Sequence, residues 1–430
     1  MHFPRFLVRS ALALVCLILI PIRVPAAQPP AREPLNWYKG NLHTHTFWSD
    51  GDDFPEMIVE WYKTNDYQFL ALSDHNILQR GTKWITMTNA TRQRVFEKYL
   101  ARHGTNVVQR RTTHGTPQVR LRTLEEFRGL FEQSERFLLI PSEEITDKVK
   151  KHEIHINATN LRDFVKPRGG TNVSDAIQRD IDAVLTQRRR SGQPMFPHIN
   201  HPNFGWALTA EDIMRVRNEQ FFEVYNGHPS VRNEGDAHHA SVERLWDILL
   251  AFRLSELGMG PLYGLAVDDA HHYQQFSRAD SNPGRGWIVV RAARLWASAI
   301  IAAMEAGDFY ASSGVRLKKV ARSRQGIAIE VDPDPGVEYT TQFIGTLRGF
   351  DPTSVPGTQP TNSPLPVTRI YSPDIGALFA EVRGPRAEYT FHGDELYVRA
   401  KVISTKPKAN PYAKDEFEAA WVQPVVAPSR

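Results

Sequence analysis

The chain has 430 residues, 41% of them hydrophobic, and a formal net charge of +4, which suits two or three globular domains. Three of its cations, Arg5, Arg9 and Arg23, fall within the first 26 residues, so the remainder is near neutral and bulk charge gives no ground for nucleic-acid binding. The single cysteine, Cys16, lies in the same segment; the rest of the chain has no disulfide or cysteine ligand, and any metal must be held by histidine and carboxylate.

Residues 1–26 have the layout of a secretory signal: a basic start, the apolar run ALALVCLILI, and small residues for cleavage after Ala26. The run is shorter than the roughly 20 residues of a membrane span, and Val15 stands before Cys16 where a lipoprotein signal wants a small residue. The expectation is an exported protein, periplasmic or secreted, with no stable membrane span once mature. From 35 to 315 strands and helices alternate. WYKGNLHTH reads as a first strand, and Pro55 opens a helix with Ile58, Trp61 and Tyr62 on one face. YQFLALSDHN is a second strand. An arginine-rich insertion over 79–122 follows, helical around Gln93 to Leu100, and then a capped helix from Thr123. RFLLIPSEE and HEIHINAT are the third and fourth strands, and SDAIQRDIDAVLTQRRR is an amphipathic helix. PMFPHINHP, QFFEVYNGH and PLYGLAVDDAHH are the fifth to seventh strands, with helices before the last two and another after the seventh. Alternating β and α units predict a parallel sheet, and seven of them a closed barrel. Over 316–425 short strands follow without helices, which predicts a small antiparallel β domain.

The ionisable residues fall at the strand ends. His43 and His45 end the first strand, Asp74 and His75 the second, Glu143 and Glu144 the third. His152 and His155 lie in the fourth; His198 and His201 end the fifth; Asp268, Asp269 and His271 end the seventh. In a parallel barrel these ends converge on one face, and residues i and i+2 of a strand project to one side, so H-x-H offers two ligands to one metal. Imidazole with carboxylate suits Zn, Mn or Fe. His152 and His198 are expected to face outward, and His103, His114, His228, His238, His239, His272 and His392 to be surface or packing residues.

NLHTHTFWSDG, LALSDHN, IPSEEIT, HEIHINA, INHPNF and AVDDAHH, in that order, resemble the motifs of the PHP (polymerase and histidinol phosphatase) domain. The resemblance covers about Trp37 to Gly314; GDFYASSGV and the tail ending AAWVQP resemble the carbaryl-hydrolase-like branch. It implies an α/β fold, a distorted (β/α)7 TIM-like barrel of PHP type followed by the small antiparallel β domain, and two or three divalent metal ions. Carried over residue by residue, it implies His43, His45, Asp50, His75, Glu144, His155, His201, Asp269 and His271 as ligands. Glu144 would bridge two metals, His43, His45 and Asp269 completing one site and His155 and His201 the second; Asp50, His75 and His271 would hold a third. Asp50 stands where many relatives have histidine, Ser142 where glycine is usual, Asn157 for leucine and Asp268 for serine.

The activity expected is metal-dependent hydrolysis of a small, anionic phosphoester by a bridging hydroxide. Glu144, His75 and His271 are the catalytic candidates, with His75 or His271 passing a proton to the leaving group. Arg285, in NPGRGW, and Asn226, ending the sixth strand, are candidate substrate contacts. The insertion, with Arg110 and Arg111 among its cations, reads as a solvated basic loop, or as a lid with an anion-binding surface. Carbamate or carboxyl ester hydrolysis on the same site is the alternative within enzymes. A metal-containing binding protein without turnover is the alternative outside them. An ordinary amidohydrolase fits less well, since the middle strands offer Glu144 rather than lysine.

Overall fold

The computed structural model describes residues 1–2, 34–361 and 365–428, so the expected signal segment lies almost wholly outside the described residues. Leu35–Arg430 forms one compact unit. Its frame is a mixed sheet of thirteen strands. The first seven are β1 (Asn36–Asn41), β2 (Phe69–Leu72), β3 (Leu138–Val149), β4 (His152–Thr159), β5 (Phe196–Ile199), β6 (Phe221–Asn226) and β7 (Tyr263–Val267), and they lie side by side in chain order. Helices α1 (Pro55–Thr64), α2 (Ala90–His103), α3 (Leu124–Phe131), α4 (Val173–Ser191), α5 (Ala210–Met214), α6 (Val242–Ser255) and α7 (Ala297–Glu305) connect or flank them. Their ends follow local chemistry. Thr123 and Glu126 close a capping box on α3, and Asn172 caps α4, which stops at Gly192 in the left-handed region.

Two expectations about this sheet need correction. It is not wholly parallel: β1–β2–β3 and β5–β6–β7 pair in parallel, but β4 runs antiparallel to both β3 and β5. No helix separates β3 from β4. Val149 pairs with His152 across Lys150 and Lys151, with Lys150 at a φ of 55°, and so short a connection can only return the chain antiparallel. The hydrogen-bonded ladder is also open rather than closed. β1 pairs on its other side with β8 (Trp287–Ala292), and the sheet continues through β9 (Phe309–Ser312). β1 and β7 share no ladder. They meet just beyond their ends, where Thr44 and Ala270 form an isolated bridge and Asp269 N–H donates to the His43 carbonyl at 3.0 Å.

The strands after Gly314 run on from that sheet. β10 (Tyr339–Leu347), β11 (Ala377–Arg383), β12 (Glu395–Pro407) and β13 (Phe417–Val426) add to it antiparallel, β13 pairing with β9. Leu317–Ser323, Gly326–Val331 and Arg386–Thr390 form a separate three-stranded sheet. An apolar floor of Phe69, Ala71, Ile140, Phe196, Phe221 and Leu265 covers one face of the sheet, while α4 and α6 pack on the other through Ile177, Ile181, Trp246 and Leu249. The insertion over 79–122 is an ordered module. Its strands Trp84–Thr86, Arg110–Thr113 and Thr116–Arg120 form an antiparallel sheet, and with α2 they pack on Phe47, Trp48 and Phe54.

Candidate metal centre

The nine expected ligands meet at the strand ends. β1 delivers His43 and His45, both fully buried, with ring centroids 5.2 Å apart. The chain then turns back: Gly51 N–H donates to the Thr46 carbonyl at 3.0 Å, and Asp74 accepts from Thr46 N and Ser49 Oγ at 2.8 and 2.7 Å. This turn aims Asp50 at His45, His75 and His271, at 3.6, 3.6 and 3.5 Å. Its neighbours are structural. Asp52 accepts from Tyr273 N–H, and Asp53 from Phe54 N–H and Gln274.

Past the end of β2 the chain bridges β3, pairing His75 with Glu144. Glu144 lies at the middle of the cluster. Its Oε2 is 3.3, 3.2 and 3.0 Å from His43, His45 and His75; its Oε1 is 2.8 Å from His155 and 3.6 Å from His201. Because β4 returns antiparallel, its register sets His155 against Thr146 and brings the ring back over Glu144. Asp269 takes a φ of 51° at the tip of β7 and places Oδ1 3.2 Å from both His43 and His45; a non-glycine residue in the left-handed region is a strained feature typical of functional sites. The ring of His271 stacks on that of His45 at 4.0 Å.

Side-chain atoms of four residues, His45, Asp50, His75 and His271, could share one ion. Further groups are His43, His45 and Glu144; His43, His201 and Asp269; and His75, Glu144 and His155. His201 thus groups with His43 and Asp269, whereas His155 groups with His75 and Glu144, a different pairing from the one the resemblance implied. The donors fit divalent metal. His43 Nε2, His45 Nε2, Glu144 Oε2 and His155 Nδ1 are buried with no hydrogen-bond partner, although unpaired buried polar atoms are costly. All four point into the cluster, where a cation would use them.

The charges interlock. Burial alone would push the Glu144 carboxyl up, but His75, His43 and His155 outweigh it and hold it well below the usual range. Burial works against a charged His43, yet Asp269, Glu223 and Glu144 raise its pKa well above the ordinary value. His75 rises to about 9, with Glu144 and Asp50 overcoming burial. His155 is lowered, burial prevailing over Glu144. The raised values of His43 and His75 favour protons that a metal would have to displace.

The other sequence candidates divide. Arg285 is buried, and its guanidinium donates to the carbonyls of Gly227, Ser277 and Asn410. It fastens loops through these donors. Asn226 donates to Glu223 Oε2 at 2.8 Å and Asp269 Oδ2 at 3.1 Å, behind the ligands. His198 faces inward, fully buried, 3.3 Å from Glu223, contrary to the outward orientation expected. His152 is partly exposed and bonds the Ala207 carbonyl. His228 packs on His271 at 5.5 Å and so sits at the rim of the cluster. Two of the insertion's cations are engaged within it, Arg110 over Phe96 and Arg111 over Trp84. Sequence reading missed Glu223, buried beside His43, and Asn200, which donates to Glu144 Oε1 at 2.8 Å. The available signal was one acid inside the apolar strand FFEVYN, since a buried charge needs partners.

No family model and no curated protein matches the chain. Among solved structures it is similar to a two-domain protein from Bacteroides vulgatus ATCC 8482 described as containing a predicted PHP-like metal-dependent phosphoesterase. The identity is 15%, over 92% of this chain and 99% of that one, with a TM-score of 0.39. A likeness that distant carries no argument about chemistry, and the carbaryl-hydrolase-like branch has no support among the matches. The chain is a mixed α/β protein whose His, Asp and Glu clusters are compatible with a metal site.

Proposed function

We propose that the protein is a metal-dependent hydrolase of phosphoesters, with two or three divalent ions held by the nine residues at the strand ends. The observation that carries this reading is the set of buried donor atoms on His43, His45, Glu144 and His155 without hydrogen-bond partners, which fall in two metal-compatible groups that share Glu144. Divalent ions there supply an activated water near neutral pH and neutralise charge on an ester oxygen. The residues of the chain do the rest. Glu144 sets one oxygen toward His43, His45 and His75 and the other toward His155, which fixes the spacing of the groups. His75 and His271 are the more open rings, at 25% and 14% side-chain exposure, and can hand a proton to a leaving group. Export, as expected from residues 1–26, belongs to this proposal.

Hydrolysis of a carbamate or carboxyl ester is the second reading. It is favoured by the fate of Arg285, whose donors are spent on loop carbonyls, so the charge of a phosphate would have to be met by metal and imidazole. The test is metal content of the purified protein by mass spectrometry, with hydrolysis of p-nitrophenyl phosphate, its bis-ester and p-nitrophenyl acetate under Zn, Mn and Fe. Phosphate release dependent on metal supports the first reading, and cleavage of the acetate alone supports the second. Metal loading without turnover of any probe would count against both.

A further inference from the structure

The candidate ligands are held from behind by a residue outside their set. Glu223 lies in β6, one layer above the apolar floor of Phe196 and Phe221, and is 1% exposed. A bulge in the β6–β7 register, where Leu265 pairs with Glu223 and Ala266 with Tyr225, leaves Val224 unpaired. It allows Glu223 and Asn226 to face the same cluster although three residues apart. Both carboxylate oxygens are used: Oε1 contacts His43 Nδ1 at 2.6 Å and His198 Nε2 at 3.3 Å, and Oε2 accepts from His201 N–H and Asn226 Nδ2, each at 2.8 Å. Asn226 passes the contact on to Asp269 Oδ2 at 3.1 Å. Glu223 therefore touches, directly or through one residue, His43, His201 and Asp269, which together form one of the metal-compatible groups.

His43, His198 and Glu223 could themselves be read as a metal site. Four donors already fill the roughly four lone-pair directions of the carboxylate, and no acceptor position remains for a cation. The arrangement is that of an outer carboxylate steering a ligating imidazole. With Nδ1–H donated to Glu223, the lone pair of His43 is confined to Nε2, the atom facing Glu144 and Asp269 at 3.3 and 3.2 Å.

We propose that Glu223 is the positioning residue for the His43/His201/Asp269 group, fixing the tautomer of His43, the main chain at His201 and, through Asn226, the carboxylate of Asp269. The inference rests on reading the cluster as a metal centre. Glu223→Gln keeps the shape but turns an amide N–H₂ either toward His43 Nδ1–H or toward the two donors on the other side. The His43/His45/Glu144 group shares His43, but only the His43/His201/Asp269 group has Glu223 behind all its members, so it loses most, and the two groups without His43 are untouched.

The test is equilibrium dialysis of the full-length protein and its Glu223→Gln variant against Zn²⁺ buffered by a chelator, with metal per chain read by mass spectrometry. The expected result is one class of site weakened by about 10–100-fold, one ion fewer per chain at limiting Zn²⁺, and unchanged affinity at the sites built without His43. Equal stoichiometry and affinity in a folded variant overturns the proposal while leaving the metal centre intact; a wild-type chain that binds no Zn²⁺ removes the metal centre itself. If the variant does not fold, ¹⁵N-histidine spectra of the Zn²⁺-loaded wild type decide: a proton on His43 Nδ1 supports the assignment, and metal ligation through Nδ1 overturns it.

Discussion

Gly51 is where a single methyl group would reach the candidate site. A Cβ there would lie 2.5 Å from the main-chain carbon and oxygen of His45 and 2.6 Å from Thr46 N, contacts that backbone atoms cannot relieve without moving. Gly51→Ala should therefore push the turn outward and withdraw Asp50 from His45, His75 and His271. Metal affinity of that group is expected to fall on the order of tenfold, in the range found when metal-orienting contacts are lost, with the fold retained; a Zn²⁺ titration beside circular dichroism checks it. Away from the cluster, Glu219 is buried at the base of the sheet, and burial pushes its carboxyl up to about 8 although Phe221 and Gln220 N–H donate to it. Between about pH 4.5 and 8 the folded chain holds a proton that the unfolded chain has released. This contribution is complete at low pH and is lost as pH rises through 8. Glu219→Gln keeps the group neutral, so its melting temperature should gain on the wild type as pH rises from about 5 to 9. A difference that stays flat across that range would show that Glu219 does not titrate this way.

Between elements, a buried ion pair joins α6 to β12. Arg399, 2% exposed, forms two 2.7 Å bonds to Asp247, and Tyr397 adds a third contact at 2.9 Å. Removing the carboxylate strands a buried guanidinium, so Asp247→Ala should cost about 3–5 kcal/mol; denaturant unfolding measures it, and a loss below 1 kcal/mol would mean that Glu243 or water replaces the partner. The insertion gives the opposite expectation. Arg110 and Arg111 cover Phe96 and Trp84 of their own module, so reversing both charges should leave the KM for an anionic ester unchanged while lowering the module's stability slightly. A KM raised several-fold would restore the anion-binding lid.

At the scale of the whole molecule, the C-terminal strands are tied to the candidate site. β13 pairs with β9, and Trp421 stacks on Tyr225 of β6 at 5.3 Å, beside Asn226. The loop between β12 and β13 sends Asn410 to Arg285 and Tyr412 to Asn233, two residues that hold the loops behind the cluster. A chain ending at 315 would expose the edge of β9 and release those loops. It is expected to lose cooperative thermal unfolding, and a sharp transition with full metal content in that fragment would disprove the coupling.

Residue chemistry and local pattern were enough to single out His43, His45, His75, Glu144, His155, His201, Asp269 and His271 together with Asp74, Glu143, His152, His198 and Asp268, because ionisable residues at strand ends interrupt apolar runs and stand out; the choice among them came from the family resemblance. They were also enough to find the strands β1 to β7, whose lengths follow from those runs. Tertiary structure decided what depends on partners distant in sequence. The antiparallel return of β4 came from a two-residue turn that leaves no room for a crossover. His198 faces inward with Phe196, two residues before it on β5; the placing of Glu223 and Asn226 on one side depended on a bulge between β6 and β7, and the fate of Arg285 on carbonyls up to 125 residues away. A sequence records which groups need partners; only the fold supplies the distances that determine which partner each one gets.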